Sequence, residues 1–261
     1  MDNKYCMKLL TLADGFGDSV ASPTWYPDFL KWPEIIQLMT QGVDLVNMAR
    51  YGAGNEYISQ CLRSNITDKD AVIVQWAIPN RLDLVLSHPT DFWNKEIAND
   101  PVYHNNVVSI TNDSYWISSG SKNSHVIEYH QKYISAKQHQ LRSQLFVDYA
   151  KLLIESHGLK HGFLLTWDSE YLQESVTDTA NWFWHQPFKG MDSFRKISRY
   201  AELDQNLNLV QPISLVQFDF IKNFIMPYID LHWRSDRDIS AVENMLYRKY
   251  KQAFDNKNDS F

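Results

Sequence analysis

The feature that most constrains the fold is a short apolar run, Leu9 to Leu12, that ends abruptly in Asp-Gly-Phe-Gly-Asp-Ser at residues 14–19. An apolar run that gives way to glycines is typical of a buried strand leaving a sheet through a sharp turn. Open α/β folds bind their ligands at the carboxyl ends of such strands. We therefore expect Ser19 to lie at the ligand-binding edge of a sheet.

Strand-like and helix-like segments alternate along the chain. Apolar runs predict strands at residues 8–13, 43–48, 71–76 and 162–167, and periodic segments predict helices at 33–39, 55–62, 125–157 and 240–254. Strands that alternate with helices favour a parallel sheet covered on both faces. We predict an α/β fold, a three-layer α/β/α sandwich whose mainly parallel sheet has about five strands.

The longest of the predicted helices carries a regular apolar pattern. Leu141, Leu145, Tyr149 and Leu152 recur at offsets of four, four and three residues, which gives one apolar stripe. Gly158 is well placed to end this helix at its carboxyl terminus.

The length of 261 residues fits one α/β domain spanning residues 1–261. Two stretches interrupt the alternation and are expected to be insertions over one edge of the sheet. Residues 82–124 are polar and turn-rich, with a candidate hairpin at 107–110 and 115–117, whereas residues 168–212 show little periodicity.

Composition excludes several classes of function. The net charge of −6 argues against a nucleic-acid-binding protein, which would carry a basic patch. No stretch approaches the ~18–20 apolar residues of a membrane span. Because the amino terminus lacks a signal-peptide core and Cys6 and Cys61 do not form a disulfide framework, a cytoplasmic location is expected, with a virion protein as the alternative.

The nine histidines do not form a metal-binding pattern. His157 and His161 are four residues apart, but Gly158 breaks the helix that would align them. His125 and His130 are five apart, which puts them on different helix faces. Metal sites usually show diagnostic ligand spacing, so we predict neither a metal nor another cofactor.

The chain contains the three side chains that a serine hydrolase needs. Ser19 supplies a hydroxyl on the turn after the first strand, and Asp230-Leu231-His232 supplies a base and a carboxylate before the last helix. In such enzymes the histidine takes the serine proton and the carboxylate orients the histidine. The alternative for each is structural: a turn residue for Ser19, and a surface or capping pair for Asp230 and His232.

With these residues the chain resembles the SGNH (GDSL-type) hydrolases, a family of esterases, lipases and carbohydrate deacetylases. Residues 17–20, Gly-Asp-Ser-Val, resemble the family's first block, and residues 47–52, Asn-Met-Ala-Arg-Tyr-Gly, resemble its second. Asp230-Leu231-His232 resembles its last. The resemblance implies that Ser19 is the nucleophile, that His232 and Asp230 complete the triad, and that the Ser19 and Gly52 N–H groups bind the oxyanion.

The third block of the family departs from its pattern in this chain. The family ends its third core strand with Gly-X-Asn-Asp, and the asparagine amide completes the oxyanion hole. Here Pro79 falls at the asparagine position and Asn80 lies one residue late. A shifted turn would allow Asn80 to take the role, with Asn55 or Arg81 as substitutes. Without such a donor the rate would fall by about 10²–10³.

The resemblance implies an enzyme that hydrolyses carboxylic esters of a small molecule or glycan. Aromatic side chains, 14% of the sequence, suit sugar binding, so an acetyl group on a carbohydrate is the expected substrate. Candidate walls of the cleft are Trp25, Tyr26, Trp182 and Trp184. The alternative is a non-catalytic carbohydrate-binding or structural module that retains the fold after its third block has diverged.

Overall fold

We describe the protein from a computed structural model. It describes residues 6–13, 29–50, 53–77, 83–86, 107–111, 114–118, 128, 132, 135–165, 195–207, 209, 212–227 and 229–259.

The described residues form seven strands in two sheets. In chain order the strands are β1 (Met7–Leu12), β2 (Val43–Asn47), β3 (Ala71–Trp76), β4 (Asp83–Leu86), β5 (Val107–Thr111), β6 (Ser114–Ser118) and β7 (Lys160–Leu165). Four of them make a parallel sheet in the order β2-β1-β3-β7. The predicted α/β fold with a parallel sheet is confirmed; of the five strands expected, the described residues supply four.

The other three strands form a small antiparallel sheet in the order β4-β6-β5. The hairpin predicted from the sequence is confirmed, because β5 and β6 pair antiparallel with Val107 opposite Ile117.

Helices pack on both faces of the parallel sheet. They are α1 (Trp32–Met39), α2 (Asn55–Asn65), α3 (Ala136–Ser156), α4 (Ala201–Leu207), α5 (Ser214–Phe220), which continues into a π-helical turn at Ile221–Ile225, and α6 (Asp236–Asp259). Leu9 and Ile73 lie in one core cluster with apolar residues of α1, α5 and α6. Leu10 and Val72 lie in the other, with apolar residues of α2 and α3.

Strand β3 shows why the sheet is covered on both faces. All six of its residues are buried. Burial on both faces is typical of parallel strands and explains the continuous apolar run in the sequence. The polar exception is Gln75, whose Oε1 accepts a hydrogen bond from the Trp32 Nε1 at 2.5 Å. That bond offsets the cost of burying the amide and fixes α1 against β3.

Helix α3 differs from the sequence prediction in the face that it buries. Leu141, Leu145, Tyr149 and Leu152 are aligned as predicted, but their side chains are exposed, Leu145 and Leu152 to 65%. The buried face carries His139, Ser143, Val147, Ala150 and Ile154. Val147, Ala150 and Ile154 lie in the core cluster that also holds apolar residues of α2, so this face of α3 is the inner one.

Gly158 ends α3 as predicted, in the left-handed conformation with φ of 63°. Its N–H donates to the Glu155 carbonyl at 3.0 Å, and the Leu159 N–H donates to the Ile154 carbonyl at 3.3 Å. This pattern satisfies carbonyls that the helix end leaves unpaired.

We expect Gly158→Ala to lower the free energy of unfolding by about 1 kcal/mol, because a Cβ is disfavoured in the left-handed region. Apart from Gly158 and its neighbours in the chain, the described residues place no atom within 4 Å of the position that the Cβ would occupy, so the expected loss comes from backbone strain. Urea denaturation measures the change. Gly158→Asn is the control, since asparagine tolerates this conformation better and should lose less. Equal stability of Gly158→Ala and wild type would contradict the assignment.

Candidate active site

Hydrogen bonds join the carboxyl ends of β1 and β2. The Met48 N–H donates to the Thr11 carbonyl at 2.8 Å, and the Arg50 N–H donates to the Ala13 carbonyl at 3.0 Å. The segment after β2 therefore continues alongside β1 beyond the strand. Residues 14–28 and 51–52 follow directly from these two joined ends in the sequence.

Asn47, the last residue of β2, holds the turn that follows. Its Oδ1 accepts from the Thr11 hydroxyl at 3.1 Å and from the Ala49 N–H at 3.0 Å. The second bond forms an Asx-type turn, in which the side chain replaces a backbone acceptor two residues away. The asparagine of the predicted second block thus has a structural role at this edge.

Asn55, the first residue of α2, holds the chain where it leaves β3. Its Oδ1 accepts from the Ala77 N–H at 2.8 Å, and its Nδ2 donates to the Ala77 carbonyl at 3.1 Å. The side chain is almost completely buried. Asn55 is one of the substitutes predicted for the missing oxyanion donor; in the structure its amide anchors the start of the turn after β3.

Two cations also lie at this edge. Lys31, which precedes α1, is fully buried, with its Nζ 4.1 Å from the centroid of the Phe29 ring. A buried lysine is rare, and the ring face stabilises its charge. Arg50 has a buried Nε with no hydrogen-bond partner among the described residues. Neither side chain was predicted as a site residue, because Lys31 belongs to no motif and Arg50 is not one of the positions to which the resemblance gives a role.

Asp230 lies at the opposite, amino-terminal edge of the sheet. The Nζ of Lys160, the first residue of β7, donates to the Asp230 Oδ2 at 2.9 Å and to the Asp230 carbonyl at 3.0 Å. The carboxylate is 89% exposed. The hydrogen bond from Lys160, and then the charge of its ammonium group, hold the pKa of the Asp230 carboxyl below its usual value, while His232 contributes less.

His232 lies at the same amino-terminal edge, with its side chain exposed. The His232 carbonyl accepts from the N–H of Gln41, which lies in the turn between α1 and β2, at 2.7 Å. The next residue, Trp233, forms an antiparallel bridge with Thr40. Backbone pairing with the end of α1 therefore fixes this segment close to where β2 begins.

The two edges are separated by the length of a strand. β1 has six residues, and a parallel strand rises about 3.3 Å per residue, so the edges are about 20 Å apart. A nucleophile and its base need a separation of about 2.6–3.2 Å. The structure brings Asp230 and His232 near one another, but at the edge from which β1 enters the sheet.

The remaining predicted site residues lie outside the described residues. They are Ser19, Trp25, Tyr26, Gly52, Asn80, Trp182 and Trp184. The Ser-His-Asp arrangement and the oxyanion hole therefore stay predictions. Each of three predicted residues follows closely on a described one. Ser19 comes six residues after Ala13, Gly52 two residues after Arg50, and Asn80 three residues after Ala77.

In the part of the chain that the structure describes, no group of three or more His, Cys, Asp or Glu residues is arranged to hold a metal ion. The described helices include none whose length and apolar character would suit a membrane span. Comparison with protein-family models and with curated proteins found no match to this chain.

We expect Asn55→Ala to lower the free energy of unfolding by about 2–6 kcal/mol, because it leaves the buried Ala77 N–H and carbonyl unpaired at about 1–3 kcal/mol each. Urea denaturation monitored by circular dichroism measures the change. Asn65→Ala on the same helix is the matched control, since Asn65 makes one part-buried bond, to the Cys61 carbonyl. Equal losses in the two variants would contradict the anchoring role.

We expect Lys160→Met to raise the pKa of Asp230 towards the usual carboxyl value, because the variant lacks the ammonium group that stabilises the carboxylate. A carbon-13 NMR titration of the Asp230 carboxyl measures it. In the wild type the lowered pKa stabilises the fold above the unfolded-state pKa, and this contribution disappears as pH falls through the folded-state value. An unchanged Asp230 titration would show that the ion pair does not form in solution.

Proposed function

We propose that this chain is a serine esterase that acts at the carboxyl edge of its parallel sheet. The observation that carries the proposal is the joining of the ends of β1 and β2 by the Arg50–Ala13 hydrogen bond, with Asn55 holding the end of β3. Ser19, Gly52 and Asn80 come from the three segments that follow these ends. In sheets of this order, ligands bind in the crevice between the ends of β1 and β3.

In the proposed reaction the Ser19 hydroxyl attacks the acyl carbon of an ester, and a base accepts the hydroxyl proton. The N–H groups of Ser19 and Gly52, with the Asn80 amide, stabilise the oxyanion that forms. Collapse of the intermediate releases the alcohol and leaves the acyl group on Ser19. Water, activated by the same base, then attacks the acyl carbon and restores the free enzyme.

The resemblance to SGNH hydrolases supports these roles and a single domain of the three-layer type. It makes His232 the base and Asp230 the residue that orients it. The nucleophile and the base are separate parts of the proposal. Ser19 follows the end of β1 at the carboxyl edge of the sheet, whereas Lys160 binds the Asp230 carboxylate at the amino-terminal edge. A triad needs the carboxylate to orient His232 and to lie at the edge where the serine acts.

The proposed substrate is a small acyl ester, with acetyl on a carbohydrate as the preferred case. Trp25, Tyr26, Trp182 and Trp184 would form the walls of the sugar site. Aromatic faces suit the apolar faces of sugar rings, and the aromatic content of 14% supports this class of substrate.

Ser19→Ala should lower hydrolysis of p-nitrophenyl acetate by at least about 10³-fold, because the loss of a nucleophile removes the acyl-enzyme route. Ser240→Ala, a change at an exposed serine of α6, is the control and should leave the rate unchanged. Trapping of an acetyl group on Ser19 by mass spectrometry gives a second readout. Equal rates for Ser19→Ala and wild type would place the reaction elsewhere.

His232→Ala tests the base independently of the nucleophile. A loss similar to that of Ser19→Ala supports the complete triad. Activity that survives in His232→Ala and disappears in Ser19→Ala keeps the serine mechanism but assigns proton transfer to another group.

A second candidate function is non-catalytic carbohydrate binding. The specific observation in its favour is the position of Asp230 and His232 at the amino-terminal edge, where Asp230 pairs with Lys160. Under this function the wild type binds acetylated oligosaccharides in calorimetry without hydrolysing them, and Ser19→Ala binds them equally well.

A further inference from the structure

Helix α3 presents an apolar stripe to solvent. Leu141, Leu145 and Leu152 are 60%, 65% and 65% exposed, and Tyr149 is 38% exposed. They account for four of the six large exposed hydrophobic residues among the described residues. From Leu141 to Leu152 the stripe is about 16 Å long, because an α-helix rises 1.5 Å per residue. A contiguous exposed apolar patch of this kind marks an interaction surface.

Charged residues border one side of this stripe. Successive residues of an α-helix are rotated by about 100° about the helix axis. By this measure three charged residues lie within about 40° of Leu141, on the side away from Tyr149: Lys137, Asp148 and Glu155. All three side chains are exposed. Glu155 lies 4.0 Å from Lys151 on its own helix, whereas Lys137 makes no ion pair with any residue that the structure describes.

The order of these charges fits an antiparallel copy of the same helix. In an antiparallel pair related by a two-fold axis, each side of the stripe meets the same side of the partner helix. With the axis next to Phe146, Lys137 faces Glu155 of the second copy, and Leu141 faces Leu152 of the second copy. The two-fold axis generates each of these two contacts a second time, with the roles of the two copies exchanged. A parallel pair would instead place the charged side against the side that carries Gln138, Tyr149 and Ser156.

We propose that α3 forms an antiparallel helix pair with α3 of a second copy of this chain, which makes the protein a symmetric dimer. The shared contact is the stripe, and the Lys137–Glu155 pairs set its direction and register. Self-complementary surfaces of this kind are the rule in two-fold dimers.

The charge of the face favours a protein partner over a membrane. The bordering side chains Lys137, Asp148 and Glu155 carry one positive and two negative charges, and the chain as a whole carries a net charge of −6. Helices that lie on anionic membranes have a basic polar face. A contact made by one helix from each copy lies at the small end of stable interfaces, so the dimer should depend on protein concentration.

Analytical ultracentrifugation of the full chain, from about 1 µM to 1 mM, tests the proposal. We expect a monomer–dimer equilibrium in the wild type. Leu141→Glu should raise the dissociation constant at least tenfold, because Leu141 faces Leu152 of the second copy and each dimer loses this apolar contact twice. Ile197→Glu, a change at an apolar residue that is 47% exposed and outside α3, is the matched control and should leave the constant unchanged.

Charge reversal tests the antiparallel register. Lys137→Glu alone places two acidic groups together and should weaken the dimer, and Glu155→Lys alone should do the same with two lysines. The double variant restores opposite charges and should restore the dimer. Circular dichroism verifies folding, and these positions are exposed, so no core contact is lost.

Three results would overturn the proposal: a wild type that stays monomeric to about 1 mM, a dimer that Leu141→Glu leaves intact, or single charge reversals without effect. A monomeric wild type that binds phosphatidylcholine–phosphatidylserine vesicles, with binding lost in Leu141→Glu, would assign the stripe to a lipid surface instead.

Discussion

The reversal of direction between two crossovers, one leaving β1 and one returning past it, determines where the rest of this chain can lie. The first runs from β1 through α1 to β2, and the second runs from β2 through α2 to β3 on the other side of β1. Crossovers of the usual right hand that run in opposite directions place their helices on opposite faces, and α1 and α2 do pack on opposite faces of the sheet. The neighbouring residues Leu9 and Leu10 are consequently buried in different clusters. In open α/β sheets a reversal of this kind leaves a crevice at the carboxyl ends of the two strands concerned, here β1 and β3.

The parts of the fold that the sequence predicted are those in which one physical signal dominates. The run Ala71–Trp76 matches β3 at both ends, because a strand buried on both faces needs apolar residues throughout. Helix α3 carries two competing signals. Leu141, Leu145, Tyr149 and Leu152 recur at offsets of four, four and three, and the buried set from His139 to Ile154 recurs with the same helical spacing, yet only the buried set packs in the core. Periodicity alone does not show which of two such faces is inside, since it reports the spacing of residues along a helix and not what the helix packs against.

The strand ends at which the site is proposed were predictable from the sequence, whereas the position of Asp230 and His232, which depends on the direction of a helix, was not. Ser19, Gly52 and Asn80 follow three parallel strands, so their shared edge is implied by the alternation of elements. The position of Asp230 and His232 depends on α5. The Ser214 hydroxyl at the start of α5 donates to the Leu30 carbonyl just before α1, and the chain beyond α5 reaches Lys160 at the other edge. Nothing in the spacing of Asp230 and His232 reveals that α5 runs between the edges.

Leu231, the residue between Asp230 and His232, explains why this segment lies at the amino-terminal edge of the sheet, independently of any catalytic role. Asp230 and His232 are exposed, whereas Leu231 is 2% exposed and packs in the cluster formed with α1, α5 and α6. Such alternation is typical of an extended segment with one face on a core. Backbone bonds at Gln41 and Arg234 hold the segment in place, and an exposed ion pair such as Lys160–Asp230 contributes little to stability. Substitution of Asp230 or His232 should therefore leave the fold intact, so any loss of activity in such variants reports on chemistry and not on unfolding.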